Sequence, residues 1–211
     1  MEMEKKSRET VMCMRGVLPR GFYDRDTRTV AKELLGKILV HETGEGACSG
    51  KIVETEAYLG KRDAACHASA GLTKRTSIMF GGPGMAYVYF NYGMHYCFNA
   101  VTLPEGKAGA VLIRAVEPLT GIELMKKRRN TDVLENLASG PGKLTSALAI
   151  GKTCNGADLT SGALYIKNNR EKFVICNSAR VGITRAVNLR LRYFIKDNSF
   201  VSGQRRRLNG V

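Results

Sequence analysis

The stretch Lys51-Ile-Val-Glu-Thr-Glu-Ala-Tyr-Leu-Gly60 decides how this chain is read. Its pattern is that of a β-strand. Strand side chains alternate between faces, so Glu54, Glu56 and Tyr58 point one way and Val53, Thr55 and Ala57 the other. Two carboxylates and an aromatic on one face are unusual in a strand that otherwise reads as buried. Two readings stay open: an edge strand with a solvated polar face, or a carboxylate general base beside an aromatic platform. Alternation does not choose between Glu54 and Glu56.

Working outward, Ser49 to Tyr58 and Lys37 to Glu42 read as strands joined around the Gly44-Glu45-Gly46 turn. Before them, Asp24-Arg25-Asp26-Thr27-Arg28 opens a helix that reaches Leu35. Val30, Ala31, Leu34 and Leu35 form its apolar stripe, Asp24 or Asp26 can cap it, and Gly36 can end it. After them, residues 60–84 form a long loop closing on Gly81-Gly82-Pro83-Gly84, and loops that long are usually functional or disordered. Met85 to Phe90 and His95 to Leu103 read as a hairpin around Asn91-Tyr92-Gly93-Met94, because Asn and Gly tolerate positive φ. A strand follows at Ala110 to Val116, then helices at 119–129 and at 141–150, the second opening with Pro141. Short strands are expected near 163–167, 172–176 and 189–195. The simplest account is one α+β domain with a curved, mostly antiparallel sheet and surrounding helices. Its expected limits are 18–203, after a flexible segment 1–17 and before a basic tail 204–211.

Of the 211 residues, 44% are hydrophobic and 25% charged, which is enough for a real core. No apolar run approaches the roughly 18–20 residues that span a bilayer. The opening MEMEKKSRETVMCMRG lacks an apolar signal core, so the chain is expected to stay inside the cell with no membrane partner. Six cysteines stand at 13, 48, 66, 97, 154 and 176 with no Cys-x-x-Cys pairing, which argues against a zinc ribbon and for a reducing compartment. Thirty-three basic residues against 19 acidic ones give a net charge of +14. Residues 167–211 alone carry 11 basic and two acidic side chains. Such a bias favours a polyanionic partner, since each neutralised phosphate releases counterions.

Other residues stand out for their chemistry. Tyr87, Tyr89, Tyr92 and Tyr96 place four of the eight tyrosines within ten residues. Tyr92, at the hairpin tip, has little to pack against and suggests a wedge that fills the gap left by an extruded base. Ordinary packing is expected of Tyr87 and Tyr96. Arg114 follows Val111-Leu112-Ile113, so a buried guanidinium there needs a carboxylate partner, and Glu56 is a candidate. That pairing would keep the carboxylate ionised and ready to accept a proton from water. Asn99 likewise interrupts an apolar run. Glu54, Glu56, Asp63 and His67 have no established metal-ligand spacing, and no metal is expected.

Taken together, VETEAYLG (53–60), His67, TKRT with MF at 73–80, YVYFNYGMHYCFN (87–99), VLIRAVEP (111–118) and SGPGKL (139–144) resemble the alkyladenine (3-methyladenine) DNA glycosylase family, in order, from about Leu18 to Ser202. The resemblance implies a single mixed α/β domain with no metal and no cofactor. It implies a base-excision-repair enzyme that flips an alkylated purine out of duplex DNA and hydrolyses its N-glycosidic bond, leaving an abasic site. Glu56 is then the general base and Arg114 helps to hold the water, with a backbone carbonyl near Val181 as a third contact. Tyr58 and His67 match one wall of the lesion pocket and Tyr89 the other. Tyr92 enters the minor groove, and Asn99 crowds the pocket against the 2-amino group of guanine. Lys74, Arg75 and Lys143 are the candidates for backbone phosphates. The implied partner is double-stranded DNA carrying alkylated bases, met by a monomer with no obligate protein partner. The implied location is cytoplasmic (nucleoid-associated in a prokaryote, nuclear in a eukaryote). A non-catalytic nucleic-acid-binding protein, for tRNA or rRNA for example, would share the charge and the aromatic hairpin but would not need Glu56 and Arg114 inside the sheet. A metal-dependent nuclease would need the acidic cluster with His67.

Overall fold

Strand β1, Ile38–Thr43, turns into β2, Gly46–Tyr58, whose thirteen residues form the axis of the molecule. A computed structural model of the chain describes residues 16–203. Most of the expected flexible segment 1–17 and all of the tail 204–211 therefore lie outside the described residues, as does Cys13. Val17, the last residue of that segment, pairs with Lys167 in an isolated bridge.

Strand β5, Ala110–Thr120, lies antiparallel along one edge of β2, from Ser49↔Thr120 to Tyr58↔Ala110. The other edge is shared. β1 covers it as far as Lys51, and β8, Arg192–Ile195, takes over from Glu54 to Glu56. The edge-strand reading of β2 is thereby corrected. Hydrogen bonding on both sides means that β2 is not an edge strand, and its polar face is not solvated, because Glu54 and Glu56 are wholly buried.

The hairpin β3, Ala86–Asn91, and β4, His95–Val101, extends the sheet beyond β5, and β6, Leu164–Lys167, extends it beyond β1. The order is β3-β4-β5-β2-β1-β6, with β7, Ile175–Ser178, joined to β8. Every ladder pairing is antiparallel, and the sheet stays open. A turn of helix α1, Arg20–Tyr23, leads into α2, Thr27–Glu33. Asp26 caps α2 by accepting the Arg28 and Thr29 N–H groups, the role expected of it.

The two faces of β2 do different work. Thr55 bonds the Ala31 carbonyl of α2 at 2.8 Å, and Val53 and Ala57 join the core formed with Val30, Leu34 and Ile113. Burying side chains of this size contributes about 1.5–3 kcal/mol each. The opposite face, with Glu54, Glu56 and Tyr58, is left for polar chemistry.

Local departures have local causes. The helix expected at 119–129 is α3, Ile122–Arg129, because β5 runs on to Thr120, whose hydroxyl meets that of Ser49 at 2.7 Å. Gly121 makes the corner at φ 71, where a Cβ would come within 2.5 Å of the Ala47 carbonyl. Helix α4, Pro141–Ala147, stops short of 150 as the chain turns left-handed at Ala149. The loop 60–84 is organised by three 3-10 turns, Gly60–Arg62, His67–Ala70 and Ser77–Phe80. At the hairpin tip the left-handed residues are Tyr92 (φ 49) and Gly93 (φ 65), not Asn91. Cys48, Cys66, Cys97 and Cys154 are buried thiols. No helix among the described residues is long and apolar enough to cross a membrane.

Candidate active site

Arg114 stands on β5 opposite the polar face of β2 and bridges its two carboxylates. Its Nε donates to Glu54 at 2.8 Å, and its Nη1 lies 3.3 Å from Glu56. The carboxylates are treated differently. Glu54 also accepts from Arg192 Nε at 2.6 Å and from both the backbone N–H and hydroxyl of Ser202. Burial opposes its charge, but Arg114 and Arg192 outweigh burial and hold it below the usual carboxylate range. Glu54 is saturated.

Glu56 is not. Its Oε1 receives the Val181 N–H at 2.8 Å and faces Arg114, while Oε2 receives the Tyr58 hydroxyl at 2.9 Å. A carboxylate offers about four acceptor positions, so room for another donor remains on Oε2. Val181 donates its N–H to Glu56, a contact separate from the carbonyl-to-water contact that the resemblance implies near this residue.

The partners of Glu56, namely Tyr58, Arg114 and Val181, line a cavity of about 590 Å³, within the usual size of a small-ligand site, while Glu56 itself is wholly buried and is not among the lining residues. Tyr58, His67, Tyr89, Asn99, Arg114 and Val181, all named from the sequence, line it. Their grouping differs from the expectation. His67 belongs with Tyr89, not with Tyr58: the two rings meet edge to face at 4.6 Å, too close to admit a base between them. The His67 Nδ1 is tied to the Tyr87 hydroxyl at 3.0 Å, which turns the ring towards that side. His67, Tyr87 and Tyr89 therefore form one cluster of rings in the cavity wall, which Tyr58 also lines. Burial, helped by the nearby Arg75 charge, pushes the His67 pKa down and favours the neutral imidazole. Burial likewise raises the phenols of Tyr58 and Tyr89, so both rings stay neutral.

Asn99 lies in the cavity floor, buried, with its amide donating to the Tyr87 carbonyl at 2.9 Å. Tyr92 is 74% exposed at the hairpin tip, flanked by the exposed Phe90 and Met94. Lys74 and Arg75 are exposed, and the Arg75 guanidinium sits 5.1 Å over the ring of the cavity residue Tyr89. Lys143 stands in the first turn of α4, near the cavity residue Pro141.

Sequence reasoning passed over Tyr87, read as packing, and Arg180. Asp63 was weighed only as a metal ligand. It pairs instead with Arg180, and among the described residues no three His, Cys, Asp or Glu side chains converge to hold a metal. In a segment rich in arginines, nothing local marks Arg180 as the buried one.

The site thus joins a buried carboxylate–arginine pair to a cavity lined by aromatic rings, on an open antiparallel sheet. The family model for methylpurine-DNA glycosylase matches residues 21–199, and the chain belongs to that family. It is thus a DNA glycosylase, a hydrolase acting on N-glycosyl bonds. A protein of Prosthecochloris aestuarii is 52% identical over 190 residues, covering 89% of this chain and 91% of its own. One from Methanoculleus marisnigri is 50% identical over 190 residues, covering 88% and 98%. Another, from Chlorobium phaeobacteroides, is 49% identical over 191 residues, covering 89% and 96%. All three are provisionally named 3-methyladenine DNA glycosylases.

Proposed function

We propose that this glycosylase extrudes alkylated purines of the 3-methyladenine type from double-stranded DNA and hydrolyses their N-glycosidic bond with a water activated by Glu56. The observation that carries the reading is the incompletely satisfied Glu56 carboxylate beside an aromatic cavity, held by Arg114 and the Val181 N–H. The water oxygen bonds to C1′ of the sugar as the C1′–N bond breaks. The bonding pair leaves with the base, and Glu56 takes the water proton. The sugar passes through an oxocarbenium-like state that a carboxylate nearby stabilises. An N-alkylated purine carries positive charge and so departs neutral without an acid. Tyr58 on one side and Tyr89 with His67 on the other offer π faces to such a cation, worth roughly 0.5–2 kcal/mol per good contact. Tyr92 fills the space vacated by the base, and Asn99 crowds the 2-amino group of normal guanine. The net charge of +14 supports binding to the duplex, with Lys74, Arg75 and Lys143 as phosphate contacts.

The test is incubation with methylated duplex DNA in the presence of EDTA, scoring free base and alkali-labile sites. Base release is expected to survive chelation, and to fall by about 1,000-fold or more in Glu56→Gln, within the range of a lost general base. Strand cleavage without alkali would overturn the abasic-site product.

A further inference from the structure

Of residues 171–190, Arg180 alone is buried. Around it the chain is exposed and mostly irregular, yet residues 181–185 form one side of the cavity beside Glu56. The β7–β8 ladder holds the ends of this strap at Ser178 and Arg192, and between them its exposed side chains add little. Val181 is 49% exposed, and the strap's hydrogen bonds within the site are the Val181 N–H to Glu56 and a 3.5 Å contact from the Tyr92 hydroxyl to the Gly182 carbonyl.

Arg180 makes the missing attachment. Its guanidinium forms a two-pronged pair with Asp63, with Nη2–Oδ1 at 2.7 Å, and Nη1 also donates to the Ala57 carbonyl at 2.9 Å. That carbonyl lies between Glu56 and Tyr58 in sequence. The guanidinium carbon sits 4.6 Å over the Tyr58 ring, and the buried Nε, with no hydrogen-bond partner among the described residues, has the ring as its neighbour. Asp63 in turn accepts the Leu59 and Ala65 N–H groups. Burial opposes both charges, but the mutual pairing outweighs it, lowering the Asp63 pKa and raising that of Arg180.

The contacts close a ring: Glu56, the Ala57 carbonyl, Arg180, the Val181 N–H, and back to Glu56. A buried ion pair is weak grounds for stability, because desolvation offsets most of its attraction. Its planar fork is suited to fixing geometry. We propose that Arg180, held by Asp63, is a positioning residue that sets the Val181 N–H against Glu56 and backs Tyr58 in its stacking plane, without touching water or base. The inference rests on the reading of Glu56 as the general base.

The experiment uses Arg180→Met, which keeps an apolar stem against Tyr58, and Arg180→Lys, which keeps the charge on Asp63 but loses the fork. Single-turnover base release from methylated duplex is measured with saturating enzyme, alongside duplex affinity and the folded fraction at the assay temperature. For Arg180→Met the rate is expected to fall about 30-fold while affinity changes less than about threefold, since small misplacements at a reacting centre are costly. Arg180→Lys is expected to be intermediate, with faster hydrogen exchange at residues 180–185 and unchanged protection in β2 and β5. Should Arg180→Met not fold, the lysine variant decides by the same readouts. A folded variant of either kind with the full single-turnover rate overturns the proposal. Glu56→Gln run in parallel separates the two claims: if it too releases base normally, the reading of Glu56 has failed, whereas an inactive Glu56→Gln beside a fully active Arg180 variant sinks the positioning role alone.

Discussion

The polar face of β2 and the tip of the β3–β4 hairpin both carry residues assigned to function, yet they are built on opposite principles. On β2, Glu54 and Glu56 are wholly buried and every neighbour is a defined partner. At the tip, Phe90, Tyr92 and Met94 are 52%, 74% and 74% exposed, and Tyr92 holds a left-handed backbone angle. Chemistry that needs fixed geometry sits where packing on both sides removes freedom. The tip, proposed to meet a deformable duplex, sits where the chain has few obligations. Changes in the first region should therefore appear as lost stability or rate, and changes in the second as weaker binding and extrusion on duplex at unchanged stability.

The strongest way to break this contrast is Glu54→Leu. It leaves Arg114 and Arg192 without their shared carboxylate, and the free energy of unfolding is expected to fall by about 3–5 kcal/mol in urea titration. A loss as small as that of a surface substitution would mean that the β2 network is not the rigid element described. Tyr92→Ser is the counterpart. Stability should stay within about 0.5 kcal/mol, while binding and extrusion on duplex weaken by roughly tenfold, the scale of one lost stacking contact. Unchanged activity on duplex would remove the wedge role. Asn99→Ser sharpens the boundary between the regions, because this residue is buried but faces the cavity. It is expected to raise release of normal guanine by a few fold, and a variant with unaltered discrimination would take away the crowding assignment.

The smallest effect is on pH. Asp63 and Glu54 both have folded pKa values below their ordinary ones. Their contribution to stability is present above the ordinary carboxyl range of about 4 and is lost as pH falls through the depressed values, where the unfolded chain binds more protons. Asp63→Asn should flatten part of this acid slope in melts between about pH 5 and 2. An identical slope would show that the Arg180 pairing has no share in it.

Much of this architecture was readable in the sequence wherever the signal is local. The Asp26 cap, the alternation along 51–60 and the Asn-Tyr-Gly-Met turn each depend on a few neighbouring residues, and each lies where expected. Element ends were less legible, as with α3, because a strand continues for as long as its partner offers hydrogen bonds. The composition of the site was largely legible too. Its internal arrangement was not: His67 sides with Tyr89 because Tyr87, twenty residues away, holds its ring.

By itself the sequence determined that one face of residues 51–60 carries carboxylates, that Tyr92 occupies a turn, and that the chain bears a net charge of +14. These are properties of spacing and composition, and they survive whatever the rest of the chain does. Only the tertiary structure decided that β8 covers the second edge of β2, that Glu54 is saturated while Glu56 keeps an acceptor position, and that Arg180 is the buried arginine of its segment. Burial and pairing depend on contacts between residues up to 148 positions apart. Such contacts form only when the whole sheet has assembled, and no local pattern encodes them.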